Sequence, residues 1–179
     1  MKKVAVIYYN NNNQGVIKYL KNKLEEIFEN YIVVENYYLS ELDPTFKIDA
    51  DAYITTNDTM LYSLKNRITN YNNIVNMYRS IKKQQLHEIL QIPKDTNVLI
   101  VNDSYETAIE TLCTLYELGM NQINLIPFDP NDPDNPIYRE YNYCITPNEV
   151  QLVPKHIQNI INIGYREISF DTLIQLMSR

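Results

Sequence analysis

Two short polar segments, each directly after an apolar run, carry the residue types in this sequence that could do chemistry. Asn102-Asp103-Ser104 follows the run Val98–Val101, and Asn57-Asp58-Thr59 follows Tyr53–Thr56. Amide and hydroxyl groups beside the first N–H groups of a helix can bind a polar or anionic ligand. The same residue types are also the best helix caps. Both interpretations stay open: two capping segments, or two turns that face one ligand.

The sequence predicts both ends of the helix that follows Asn102-Asp103-Ser104. Asp103 is expected to cap it, with Glu106 reaching back to the cap amide as in a capping box. Gly119 supplies the left-handed residue that ends it. Apolar residues recur at helical spacing between these ends and predict a face for a sheet: Ala108, Ile109, Leu112, Leu115 and Tyr116.

A positive charge is expected at the same strand ends. Arg79 follows the predicted strand Ile74–Tyr78, so its guanidinium can pair with a carboxylate or phosphate, although a surface salt bridge is the alternative. Thr146 follows the predicted strand Tyr141–Ile145 in the same way. The predicted ligand-binding residues are those at the ends of the strands: Asn57, Thr59, Arg79, Ser80, Asn102, Asp103, Ser104 and Thr146.

The elements that must position these residues alternate between strands and helices. Such alternation predicts an α/β protein with two Rossmann-like or flavodoxin-like lobes, whose mainly parallel sheets are flanked by helices. We predict an N-terminal α/β lobe over residues 1–80, a bridging helix and linker over 81–94, and a C-terminal α/β lobe over 95–179. The predicted strands are Lys3–Tyr9, Tyr31–Tyr38, Ala52–Thr55, Asn73–Tyr78, Val98–Val101, Ile123–Ile126, Tyr141–Ile145 and Asn159–Ile163, and the last helix is Phe170–Met177.

Composition excludes several classes of function. The chain has only three glycines, so it contains neither a Walker loop nor a dinucleotide-binding fingerprint, which both need several glycines at one turn. A formal net charge of -6 argues against direct contact with nucleic acid. No apolar stretch has the length of a membrane span, and we expect a cytoplasmic protein. Cys113 and Cys144 are expected to be buried thiols, without a disulfide or metal role.

No catalytic constellation is recognisable, so we do not expect an enzyme. Nucleophilic catalysis needs a Ser or Cys beside a base, and the chain has only two histidines, His87 and His156. His87 lies in a lysine-flanked helix, whereas His156 lies near strand ends and is a weak candidate. No cofactor or metal is expected. FMN is an alternative, because the Asn10–Gly15 turn follows the first strand, but the turn lacks the hydroxyls that hold the FMN phosphate.

Several segments in order carry a resemblance to a known family: Asp51–Asn57 with its helix, Asn73–Leu90, Asn97–Ser104, Tyr143–Thr146 and Ile160–Gly164. Their order resembles the N-terminal receptor domain of sigma-54-dependent transcriptional activators, the group that includes the propionate-catabolism activator. The stretch Val101–Glu106 is especially similar to clostridial members. Arg79, Ser80 and the loop at 129–136 depart from the propionate-type pattern.

The resemblance implies a sensory domain in a longer regulator. Such a domain senses a small effector and releases or restrains an attached ATPase, so the implied partners are that ATPase, a DNA-binding module and the effector. We therefore expect a cytoplasmic effector-sensing regulatory domain that binds a small polar or anionic ligand in a cleft between its lobes. The alternatives are a ligand-free dimerisation or protein-interaction module, with a homodimer as its product, and a flavodoxin-like FMN protein.

Overall fold

The computed structural model describes residues 1–179 and divides them into two compact units. Unit 1 consists of Met1–Arg79 and Ile168–Arg179, and unit 2 consists of Ser80–Glu167. Each unit contains a four-stranded parallel sheet with helices beside it, which confirms the predicted fold class. No helix has the length and apolarity needed to cross a lipid bilayer.

Ten strands and five α-helices make up the two units. In chain order they are β1 (Lys2–Tyr8), α1 (Gln14–Phe28), β2 (Ile32–Tyr38), β3 (Ala52–Thr55), α2 (Met60–Leu64), β4 (Ile74–Asn76), β5 (Arg79–Ser80), α3 (Lys83–Leu90), β6 (Asn97–Ile100), α4 (Tyr105–Glu117), β7 (Asn124–Pro127), β8 (Tyr143–Thr146), β9 (Asn159–Asn162), β10 (Glu167–Ile168) and α5 (Phe170–Met177). Short 3-10 helices at Glu29–Tyr31, Tyr71–Asn73, Pro136–Glu140 and Val150–Leu152 connect them.

The sheet of unit 1 has the strand order β2-β1-β3-β4 and is buried on both faces. One face packs against α1 and α5, because Leu20 and Leu24 of α1 and Leu176 of α5 share a core with alternate residues of β1. The other face packs against Met60 and Leu64 of α2. Burial on both faces explains why β1 reads as a continuous apolar run instead of an alternating one.

The sheet of unit 2 has the order β7-β6-β8-β9 and two separate cores. The first core joins α3 and α4 to one face of the sheet, and the second lies under the connections on the other face. The buried face of α4 consists of Ala108, Thr111 and Leu115. The expected contributions of Ile109 and Tyr116 to this face are therefore wrong, since both side chains are exposed.

Gly119 ends α4 as predicted, with a positive φ of 87°. Its N–H donates to the Tyr116 carbonyl, and the Met120 N–H donates to the Leu115 carbonyl. These two bonds form a Schellman motif, and burial of Met120 in the same core as Leu115 adds its hydrophobic contact.

The two units repeat one topology. In each, the first strand connects through a helix to the edge strand on one side. The third strand lies on the other side of the first and is followed in the sheet by the fourth, at the opposite edge. The registers also agree, because Thr55 pairs with Asn76 and Thr146 pairs with Asn162. The segment Ile54–Asp58 is thus equivalent to Ile145–Glu149, and both read Ile-Thr-x-Asn-acid.

This equivalence corrects one sequence interpretation. The sequence has similar polar segments at Asn57 and Asn102, but these follow β3 and β6, which are not equivalent strands. The partner of β6 in the other unit is β1, whose last residue, Tyr8, takes the position of Asn102. The local residue types agree at Asn57 and Asn102 because both segments turn a chain after a strand.

The predicted division of the chain is wrong in two places. The segment 81–94 was expected to bridge the lobes, but Ile81, Ile89 and Ile92 are buried in the core of unit 2. Helix α5 was expected in the C-terminal lobe, but it belongs to unit 1, where Leu176 joins the core. The Thr172 hydroxyl also accepts a hydrogen bond from the Tyr78 N–H at 3.0 Å.

Candidate functional site

The predicted ligand-binding residues fall into both units. Unit 1 contains Asn57, Thr59 and Arg79. Unit 2 contains the other five: Ser80, Asn102, Asp103, Ser104 and Thr146. Within unit 2 the structure brings the segment after β6 and the end of β8 together, since β6 and β8 are adjacent in the sheet. Arg79 and Ser80 lie in β5, outside both four-stranded sheets.

Each four-stranded sheet has a topological switch point, where connections leave the sheet in opposite directions. In unit 1 it lies between β1 and β3, and in unit 2 between β6 and β8. Ligands of open α/β sheets bind outside the carboxyl ends of the strands at such points. Asn57 and Thr59 lie at the switch point of unit 1, and Asn102, Asp103 and Thr146 lie at that of unit 2.

The turn between β6 and α4 is closed by a capping box, one residue later than predicted. Ser104, not Asp103, is the cap: its Oγ accepts from the Thr107 N–H at 3.2 Å, and the Thr107 Oγ1 accepts from the Ser104 N–H at 3.1 Å. The predicted contribution of Glu106 is therefore wrong. The Asp103 carboxylate instead accepts a hydrogen bond from the Thr107 hydroxyl.

Asn102 uses its side chain to hold this turn. The Nδ2 atom donates to the Thr107 carbonyl and to the Thr111 Oγ1, each at 3.2 Å, and the Oδ1 atom accepts from the Asp103 N–H at 2.8 Å. The residue is buried. Because these bonds occupy both donor hydrogens, we expect Asn102 to position Asp103 and Ser104 instead of contacting a ligand through Nδ2.

Replacing Asn102 with alanine is therefore expected to lower the free energy of unfolding by about 2 kcal/mol. The substitution removes three hydrogen bonds and leaves the buried Thr111 hydroxyl without one of its partners. Urea denaturation measures the change. Asn131→Ala, at an exposed position of the same unit, is the control and should change stability by less than about 0.5 kcal/mol. Equal effects of the two substitutions would contradict the assigned role.

The end of β8 is held by two side chains. The fully buried Thr146 accepts a hydrogen bond from the Glu149 N–H at 3.0 Å through its Oγ1. The Oδ1 of Asn162, at the end of β9, accepts from the Asn148 N–H at 3.0 Å and from the Gly164 N–H at 2.9 Å. The predicted contact residue Thr146 thus shapes the loop that follows it.

The switch point of unit 2 is acidic. Burial raises the pKa of Glu149, the negative charge of Asp103 raises it further, and a hydrogen bond from Gln151 opposes both effects. The two carboxylates therefore interact across the adjacent ends of β6 and β8. This field disfavours an anion here and favours a ligand that donates hydrogen bonds or carries positive charge.

The segment after β3 in unit 1 is a local turn. The Asn57 Oδ1 accepts from both the backbone N–H and the hydroxyl of Thr59, each at 2.8 Å. Both residues are exposed. The two predicted residues therefore bond to each other, and the Asn57 Nδ2 is the donor that remains for a ligand.

Tyr8, the last residue of β1, is not among the predicted ligand-binding residues. Its side chain is 7% exposed, and its hydroxyl is buried without a hydrogen-bond partner. Burial raises the pKa of Tyr8, while the positive charge of Arg79 opposes this rise. On the neighbouring strand β2, the Asn36 Oδ1 is also buried without a partner. The sequence did contain a signal: a tyrosine closes the apolar run of the first strand.

No protein-family model, curated protein or solved structure matches the chain.

The remaining candidates for chemistry are His156, Cys144 and Cys113. His156 Nε2 lies 3.0 Å from the Tyr138 carbonyl oxygen and 3.1 Å from that of Tyr141, so this nitrogen carries the proton. Cys144 is buried, which raises the pKa of its thiol to about 12, and it is inert as a nucleophile. Cys113 is exposed, so its predicted burial is wrong. No group of three or more metal-ligating side chains occurs in residues 1–179.

Proposed function

We propose that this chain is an effector-sensing regulatory domain that binds a small polar ligand with an acidic group. The single observation that carries the proposal is the buried Tyr8 hydroxyl without a partner, at the switch point of unit 1. A buried hydroxyl that makes no hydrogen bond costs about 1–3 kcal/mol. A ligand oxygen that accepts its proton would recover this free energy, so the binding of such a ligand would be favoured.

The charges near Tyr8 favour an anionic group on the ligand. The guanidinium of Arg79 acts on the Tyr8 hydroxyl electrostatically, and a guanidinium can bind a carboxylate or phosphate with two hydrogen bonds. The next helix, α1, begins just after this strand end, and its first turn contains no acidic residue. The positive end of its dipole therefore adds to the attraction for an anion.

The regulatory assignment rests on the resemblance to the receptor domains of sigma-54-dependent activators. A repeated α/β topology with polar residues at its strand ends supports it, because such edges bind ligands without needing catalytic side chains. The attached ATPase and DNA-binding modules are the proposed partners. Binding of one ligand between the lobes, a homodimer and a cytoplasmic location stay predictions.

A thermal-shift screen of small carboxylates, amino acids and sugar phosphates tests the proposal. A ligand that binds only the folded chain must raise Tm. In Tyr8→Phe the ligand affinity is expected to fall about tenfold, which corresponds to about 1.4 kcal/mol. The stability of the ligand-free chain should stay the same or rise, because the substitution removes only a hydroxyl that has no partner.

Tyr9→Phe is the matched control, since Tyr9 is the adjacent residue and its side chain is exposed. It should leave both the affinity and the stability unchanged. Arg79→Gln should also weaken the binding of every anionic ligand found. The proposal is wrong if every compound that raises the Tm of the original chain raises the Tm of Tyr8→Phe as much.

A further inference from the structure

We propose that unit 2 contains a second binding site, which takes a small organic anion with an aromatic or apolar body. The site is a cavity of about 470 Å³ lined by residues of two connections, 128–139 and 151–156. This volume lies within the range of small-molecule sites in proteins, about 300–1,000 Å³. The cavity adjoins the core that includes Leu99 and Phe128, whereas α4 packs against the core on the opposite face.

Two cations that have no partner line this cavity. Arg139 and Lys155 are both exposed at its wall, and neither forms an ion pair or donates a hydrogen bond within the chain. One carboxylate, Asp134, lines the cavity with them. A local excess of positive charge is unusual on a chain with a net charge of -6. Such a wall attracts an anion and repels a cation.

The inner wall of the cavity is apolar and rigid. The rings of Phe128 and Tyr138 are both buried, and their centroids lie 4.8 Å apart at an angle of 54°. The Tyr138 hydroxyl also accepts from the Asp129 N–H at 3.0 Å, which fixes its ring. Leu152 and Val153 complete this wall. The apolar surface open to a ligand comes from residues that are not fully buried, namely Leu152, Pro133 and Pro154. An inorganic anion would leave this surface in water, whereas a ring or short hydrocarbon body would cover it.

His156 adds a polar group of fixed orientation. Its Nε2 proton is held by the carbonyl groups of Tyr138 and Tyr141, so the other ring nitrogen, Nδ1, is the one that has no partner in the chain. Nδ1 can accept a hydrogen bond from a ligand hydroxyl. The ligand class is therefore an aromatic or apolar carboxylate or phosphate, held by Arg139 and Lys155.

Calorimetric titration of the full chain with phenyl phosphate tests the site, with phenol and inorganic phosphate as separate probes. Phenyl phosphate should bind at least tenfold more tightly than either fragment, because it alone contacts both the cations and the exposed apolar surface of the cavity. Arg139→Gln and Lys155→Gln should each weaken its binding by about tenfold, as expected for the loss of a charge-assisted contact. Lys94→Gln, an exposed lysine of the same unit, should leave the affinity unchanged.

A second measurement guards against misfolded variants. In the unaltered chain, phenyl phosphate should slow amide hydrogen exchange in residues 128–139 and 151–156. Tyr8→Phe should not change its affinity, so failure of this site is distinguishable from failure of the unit 1 site. The proposal is overturned if phenyl phosphate binds no better than inorganic phosphate, if its affinity survives both substitutions, or if no slowing of exchange appears in the two segments.

Discussion

Tyr53→Ala is expected to lower the free energy of unfolding of unit 1 by about 4 kcal/mol, the loss typical of deleting a buried aromatic ring. Tyr53 lies in the middle of β3 and is fully buried. Its hydroxyl accepts from the Ala50 N–H at 3.1 Å and lies 3.2 Å from the Ile48 carbonyl oxygen and 2.7 Å from the Thr69 Oγ1. The truncation therefore leaves a cavity and also removes the hydrogen bonds that join two connections, the one before β3 and the one after α2.

Two further variants separate these contributions in urea denaturation experiments. Tyr53→Phe keeps the ring and loses only the hydroxyl, so we expect a loss of about 1–2 kcal/mol. Tyr62→Ala removes a tyrosine that is 90% exposed in the same unit, and it should change stability by less than about 0.5 kcal/mol. If Tyr53→Ala cost no more than Tyr62→Ala, the packing assigned to β3 would be wrong.

Short apolar patterns in the sequence predicted the bounds of several strands and helices. The bounds of β3, Ala52–Thr55, and of α5, Phe170–Met177, agree with the predictions. Apolar runs of strand length between polar turns have few alternatives in an α/β chain. The parallel class followed from the alternation of strands and helices, because parallel strands need such crossovers.

The division into units was not predictable in the same way. Helix α5 has an apolar face, but nothing local in its sequence says which sheet covers that face. Its place in unit 1 depends on contacts such as that of Leu176 with the core around α1, which are about 150 residues apart in the chain. The apolar residues of α3 are likewise compatible with a helix that bridges two lobes and with a helix that packs in the core of one lobe.

The positions of the predicted residues followed from the sequence, but their hydrogen-bond partners did not. Asn57, Thr59, Asn102 and Thr146 do lie at the carboxyl ends of strands. The same amides and hydroxyls that bind ligands also bind the neighbouring backbone, and only coordinates show that Asn102 has already used its donors. The cap is Ser104 and not the predicted Asp103, because Ser104 has the extended backbone of a cap residue, with φ of -144° and ψ of 166°.

The sequence does contain a repeat that corresponds to the two units, but it is not the pair of segments at Asn57 and Asn102. Ile-Thr-x-Asn occurs at Ile54–Asn57 and at Ile145–Asn148, where the strands are equivalent. The registers then match the asparagines that end β4 and β9. Asn76 accepts from the Thr55 hydroxyl at 2.9 Å, whereas Asn162 holds the following loop. One topology therefore supports two different polar networks.

Leu20→Ala is expected to lower stability by about 3 kcal/mol and to test the division of the chain into units. Leu20 is fully buried in α1 and shares its core with Leu176 of α5. Loss of its side chain should therefore speed amide hydrogen exchange in residues 1–79 and, to a similar degree, in residues 168–179. Exchange measured by mass spectrometry resolves these segments.

The division predicted from sequence leads to a different result, since α5 would then exchange together with residues 95–167. Ile27→Ala is the matched control, because Ile27 lies on the same helix but its side chain is 46% exposed. It should alter exchange little in either segment. Faster exchange in 1–79 without any change in 168–179 would show that α5 gains its stability elsewhere. The expected shared change would mean that the sheet bearing Tyr8 is stabilised by α5, a helix more than 160 positions further along the chain. A ligand that stabilises unit 1 would then also slow amide exchange in residues 168–179.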